Sequence, residues 1–185
     1  MGIPTLIKTL TASGDSSLSF VDGTADVTLD STYDEYMFVC TDMGPATNGV
    51  TFEFQASTDS GSNYNTTVTY TMFRAYHTES GSESAVSYQS DDDGAQVTSF
   101  IRLVDGEQVG SGADESIVCV LHLFDPSDTT YVKHFYATTV CNSSNDAAQN
   151  AYIAGYFNTT SAIDAVSFKM SSGNMDGVIQ MYGIA

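Results

Sequence analysis

Val50-Thr-Phe-Glu-Phe-Gln-Ala-Ser57 alternates apolar and polar side chains without a break. Successive side chains of a strand point to opposite faces, so Val50, Phe52, Phe54 and Ala56 share one face. Thr51, Glu53, Gln55 and Ser57 share the other. The pattern predicts a half-buried strand, and it limits the rest of the chain to elements that can cover its apolar side. Elsewhere the sequence offers more strands and no segment of helical period.

Taken in order, residues 1–12 read as an extended arm or edge strand, with Leu6, Lys8 and Leu10 alternating with Thr5, Ile7 and Thr9. Short strands follow at Ser17 to Val21 and Val27 to Leu29. In Tyr33 to Asp42, Tyr36, Phe38 and Cys40 fall on one face, and Pro45 ends the element. Thr66 to Thr78 places Val68, Tyr70, Met72 and Arg74 on one side. Residues 79–95 are polar and read as an exposed loop or a weak hairpin around Val86-Ser-Tyr88. Gln96 to Val104 is the next strand. Ser116-Ile-Val-Cys-Val-Leu-His-Leu-Phe124 is almost continuously apolar, which predicts a strand covered on both faces. Tyr131 to Val140, Tyr152 to Phe157, Ala165 to Met170 and Val178 to Ile184 complete the set. The last two flank a tight turn rich in Gly173, Asn174, Asp176 and Gly177. About ten strands with turn chemistry between them predict an all-β chain, an antiparallel, jelly-roll-like β-sandwich. Residues 1–12 form its arm or edge strand and 13–185 a single domain. No internal repeat points to a propeller or solenoid.

Charge narrows the partners. The chain carries 23 acids against 5 bases, a formal net charge of −18. Nucleic-acid binding needs Lys and Arg to displace the counterions around phosphate, so it is excluded, and an anionic membrane surface is disfavoured for the same reason. The composition fits a protein that faces solution and repels its own kind at a distance. Lys8, Arg74, Arg102, Lys133 and Lys169 all fall in predicted strands and read as partners for carboxylates, not as a patch. Cys40, Cys119 and Cys141 lack metal-binding spacing and are expected as buried thiols, in keeping with folding in a reducing cytoplasm. The opening Met1-Gly-Ile-Pro lacks the pattern of a secretory signal, so Asn65-Thr-Thr, Asn142-Ser-Ser and Asn158-Thr-Thr read as chance matches to glycosylation acceptors.

Chemistry-bearing motifs are sparse. Ser57-x-Asp59-x-Gly61-x-x-Tyr64 has the pattern of an Asp-box hairpin, a local turn device. Asp91-Asp-Asp-Gly94 and Asp125-Pro-Ser-Asp128 have oxygens for Ca²⁺ but not the order of a calcium loop, and read as solvated turns. His122 and His134 lie on neighbouring predicted strands with Cys119 nearby, without a third ligand at zinc spacing. No catalytic or cofactor-binding motif occurs, and the expectation is a protein that is not an enzyme and uses no cofactor. Tyr64, Tyr70, Tyr76, Tyr88 and Tyr152 offer aromatic surfaces for sugars, which leaves a carbohydrate-binding module as the alternative class.

Several stretches together are similar to a family of structural proteins from tailed phages of marine bacteria. They are Ser31-Thr-Tyr-Asp-Glu-Tyr36, Phe73-Arg-Ala-Tyr-His77, Leu121-His-Leu-Phe-Asp-Pro-Ser127, Tyr131-Val-Lys-His-Phe135, Ala154 to Ile163, Phe168-Lys-Met-Ser-Ser-Gly173 and the ending Gly177-Val-Ile-Gln-Met-Tyr-Gly-Ile184. The family's common ending has Leu where Met181 stands. The resemblance implies a virion protein made in the host cytoplasm. Its implied place is the outer capsid surface, as a decoration (cement) protein, a homotrimer that bridges major capsid protein subunits. A tail or fibre component that attaches to the host surface is the competing placement. In the decoration reading the apolar arm crosses onto a neighbour, so Ile3, Leu6, Ile7, Lys8 and Leu10 are its interface residues.

Overall fold

The computed structural model describes residues 2–106 and 109–185. Thirteen strands run in chain order: β1 (Thr5–Asp15), β2 (Leu18–Val21), β3 (Glu35–Pro45), β4 (Phe52–Ser57), β5 (Val68–Thr78), β6 (Ser84–Tyr88), β7 (Gly94–Val97), β8 (Ile101–Arg102), β9 (Ile117–Phe124), β10 (Lys133–Ser143), β11 (Ala147–Phe157), β12 (Ala165–Met170) and β13 (Met175–Ile184). They form two antiparallel sheets. The larger has the order β1-β13-β3-β9-β10-β11-β5-β6, with β7 also on β5, and the smaller is β2-β12-β4-β8.

Four pairings define the wrap: β1 with β13, β2 with β12, β3 with β9 and β4 with β8. This is the pairing of one long hairpin wound onto itself, with its successive rungs alternating between the two sheets, and it makes these eight strands a jelly roll. The remaining strands are insertions. β5 to β7 fall between β4 and β8, and β10 and β11 fall between β9 and β12, and all of them extend the larger sheet on the same side.

Aromatic rings fill the space between the sheets. Phe168 of β12 lies 5.4 Å from Phe38 of β3, ring centre to ring centre, and 5.9 Å and 6.1 Å from its neighbours Phe52 and Phe54. Phe54 in turn meets Phe135 edge-on at 5.1 Å and Phe157 at 6.1 Å. Those last two rings belong to β10 and β11, so Phe54 couples the inserted strands to the smaller sheet. Two ion pairs tie the insertions down as well. Arg74 on β5 pairs with buried Asp105, and Arg102 on β8 pairs with buried Asp92, which also accepts from the Gly106 amide at 2.8 Å.

Several sequence expectations change here. The 50–57 segment is covered on both sides except near Glu53: Gln55 and Ser57 are fully buried. Gln55 donates to the Thr98 and Ser99 carbonyls, so the crossing from β7 to β8 roofs its polar face. Gln96 to Val104 is two short strands in different sheets, joined by a crossing at 98–100, and the positive φ of 55° at Gln96 lies inside β7 at its irregular pairing with β5. Val27 to Leu29 is buried but not a strand, because positive φ at Ala25 and Asp26 turns the chain. The two final strands are no hairpin, since β12 lies in the smaller sheet and β13 in the larger one, between β1 and β3. In β13, Gly177 has φ 135°, and a Cβ there would stand 2.8 Å from the Asp42 carbonyl oxygen at the β3 bulge.

Candidate interaction surface

The predicted interface residues divide. β1 is the edge strand of the larger sheet, paired along its length with β13. A bulge between Leu6 and Lys8 adds one residue and changes the phase of the alternation. Ile7 and Leu10 therefore both pack, half-buried, on the core of their own chain. Lys8 is half-buried, and Ile3 lies exposed ahead of the strand. Leu6 is half exposed and stands beside Tyr182, at the end of a row that crosses seven strands.

That row runs Leu6, Tyr182, Met37, His122, Tyr136, Ala154, Thr71 in cross-strand register. A second runs Gln180, Val39, Val120, Thr138, Tyr152, Phe73, Tyr88, and a third Val118, Val140, Asn150, Ala75, Val86. None of these residues is Asp, Glu, Lys or Arg. Together they make the outer face of the larger sheet, the side turned away from the core. Glu35 stands at its border, held against His122 Nδ1. Nearly all the other acids lie in loops and at strand ends. Eight of the ten exposed large hydrophobic residues, among the described residues, are on this face; Ile3 and Tyr131 are the others.

Rings give the face relief. Tyr136 stacks on His122 at 4.5 Å and lies 5.8 Å from Phe124, and Phe73 stacks on Tyr152 at 4.9 Å. Between β9–β10 on one side and β6–β7 on the other runs a groove of about 700 Å³. Its floor holds Ala154 and Gly155, and its walls Phe124, Tyr136 and Tyr88. Gly155 is required there, since a Cβ would stand 2.5 Å from the Thr69 carbonyl oxygen. Asp93 and Thr69 also line the groove, but Asp93 already accepts from the Tyr88 hydroxyl, and Thr69 Oγ1 from Gln96.

The other candidate sites resolve into local structure. Ser57 Oγ accepts from the Asp59 and Gly61 amides, and Asp59 accepts from the Asn63 backbone and side chain. Those bonds, from Asn63 first and then Ser57, hold the Asp59 carboxyl below the usual range. Asp128 is lowered likewise by the Tyr131 and Thr130 amides. His122 and His134 do share the outer face, but Cys119 points into the core, opposite buried Cys40, and cannot join them. Cys40, Cys119 and Cys141 are free, buried thiols. Among the described residues no three His, Cys, Asp or Glu side chains come together as a metal site. Arg74, Arg102 and Lys169 pair with carboxylates, Lys169 with Glu53 at 4.0 Å. Lys133 instead is buried and donates to the Tyr131 and Thr159 carbonyls, and burial lowers its pKa.

Of the five tyrosines proposed for sugars, Tyr88 and Tyr152 lie on the outer face. Tyr70 is in the core, Tyr76 lies under the Arg74 guanidinium, and Tyr64 is half-buried beside the 57–63 turn. Tyr136 and Tyr156, which the sequence reading passed over, line the groove; their outward parity in β10 and β11 was the available signal.

No family model matches the sequence, and no curated protein matches it. Among solved structures, a Bacteroides ovatus structural-genomics protein of unknown function overlaps 58% of this chain and 45% of its own, at 6% identity and a TM-score of 0.31. The structure of infectious bursal disease virus Gt strain overlaps 98% and 42%, at 11% identity and a TM-score of 0.18. The chain thus spans less than half the length of the solved chains it overlaps. Similarity at these scores carries no argument about function.

Proposed function

We propose that this chain is a non-enzymatic structural protein of a virus particle, a decoration protein that sits on the outside of the shell and bridges major capsid subunits. The observation that carries the reading is the uneven surface. In a chain with 23 acids, the described ones, apart from Glu35 at its border and Asp93 in its groove, lie off one broad, apolar, ring-studded sheet face. Monomers rarely expose an apolar patch of that extent, and an assembled protein needs one. The acids on the remaining surface suit the solvent side of a particle, away from packaged nucleic acid. The resemblance of the Leu121–Ser127, Ala154–Ile163 and Gly177–Ile184 stretches to phage structural proteins points the same way. Quantitative mass spectrometry of purified particles tests it. A copy number comparable with that of the major capsid protein supports decoration, and absence from particles overturns it.

Attachment to a host glycan is the second reading, and the groove between Tyr88 and Tyr136 is the observation that favours it. Aromatic walls of this kind stack on the apolar faces of sugar rings. Binding of the isolated chain to a glycan array, abolished in Tyr88→Ala, supports that reading, and an array without binding removes it.

A further inference from the structure

We propose that the outer face of the larger sheet is the contact between two copies of this chain, related by a two-fold axis that runs through the groove. The inference rests on the assembly reading above and names the partner of that face.

Charge selects the occupant. A basic partner is drawn to carboxylates, and among the described residues this face offers two, Glu35, already engaged by His122, and Asp93 in the groove wall, already engaged by the Tyr88 hydroxyl. A partner that covers the face must itself present an uncharged, apolar surface. The same face on another copy is such a surface. It is also where two chains of net charge −18 can meet with most of their acids kept to the periphery, Asp93 being held by the Tyr88 hydroxyl.

Area agrees. Six strands at about 4.8 Å spacing and eight residues at about 3.3 Å rise give a face on the order of 800 Å². A stable pair needs about 800 Å² from each partner. Relief agrees too. The Tyr136–His122–Phe124 stack is a ridge, and the groove floored by Ala154 and Gly155 lies beside it. A two-fold axis turns the ridge of one copy toward the groove of the other, because an isologous contact requires each patch to fit itself. Clustered tyrosines, with charges scarce, match the composition of an interface core.

Sedimentation equilibrium of the full chain between micromolar and about 100 µM protein, above the micromolar limit of the affinities that interfaces of this size reach, tests the proposal. The expected mass is that of two copies. Tyr152→Asp and, separately, Tyr136→Asp should each weaken pairing by about 30-fold or more, the effect of losing a central aromatic contact. Their circular dichroism, and their melting at dilutions where the parent is unpaired, should match the parent, since both rings project away from the core. Tyr131→Asp, exposed but off the face, should pair normally. A parent that is monomeric at 100 µM, a mass of three copies, or folded face variants that pair like the parent each overturn the proposal. A monomeric chain that is abundant in purified particles overturns the pairing and leaves the particle reading standing. A chain that pairs through Tyr152 yet is missing from particles supports the pairing and removes the particle reading.

Discussion

The two faces of the larger sheet are built from the same strands and nearly the same chemistry, yet they differ in what covers them. On the inner side Leu121, Phe135 and Ile153 are sealed against the smaller sheet and the inserted segments. On the outer side their sequence neighbours His122, Tyr136 and Tyr152 stand open. An apolar side chain on the inner face is held by folding alone, whereas one on the outer face gains a comparable contact only by association. Hydrophobic alternation thus marks where burial is wanted, without saying whether the same chain supplies it.

Mutations separate the two faces. The largest effect is expected at Phe168, ringed by Phe20, Phe38, Phe52 and Phe54. Phe168→Ala should lower unfolding stability by about 3–5 kcal/mol in urea titration. Next is Asp105→Ala, which removes a buried carboxylate held against the Arg74 guanidinium and should lose about 3 kcal/mol by the same assay. Gly177→Ala should lose about 2 kcal/mol, because φ 135° and the Asp42 carbonyl leave no relaxed place for a methyl group. On the outer face, Tyr152→Ser, which gives up the stack on Phe73, should lower the stability of the dilute, unpaired chain by about 1 kcal/mol or less. An outer-face loss as large as that of Phe168→Ala would erase the distinction between the faces.

An alkaline titration sharpens the inner side. Tyr36 on β3 donates to the Asp30 carbonyl at 2.8 Å and accepts from the Asp30 amide at 3.0 Å. Burial pushes its phenol up to about 12 from the ordinary 10.0. The fold holds the proton that the unfolded chain releases first, so this contribution is intact below pH 10 and is lost as pH climbs through about 12. Tyr36→Phe should be less stable near neutrality but lose stability less steeply between pH 10 and 12. Parallel slopes for the two proteins would show that the phenol does not titrate with unfolding.

The fold was legible where one face is dry and the other wet. Tyr36, Phe38 and Cys40 in β3, and Val68 to Arg74 in β5, lie buried as their alternation requires. The all-β class followed from such segments. Legibility failed where a strand's second face has an unusual cover. β4 looked half-buried because Gln55 and Ser57 are polar, but the Thr98–Ser99 crossing satisfies Gln55 internally. β9 looked covered on both sides because Val118, Val120 and Phe124 are apolar, yet within one chain that side is bare. Local sequence also could not place partners. Nothing in Ala165–Ile184 says that β12 and β13 join opposite sheets, since that is settled by pairing with β2 and β3 far earlier in the chain. The candidate site was half legible: Tyr88 and Tyr152 were visible as aromatics, but the surface that joins them to Tyr136 exists only once seven strands are in register.

The bulges of β1 have a consequence for how such a body can multiply. One margin of the large sheet is interrupted near Ile7 and again near Gly14, and the opposite margin is β6, five residues long. Neither offers the long, regular template along which strands add without end. Under the proposed pairing, copies that meet broadside saturate after a single partner, which gives finite units and not filaments.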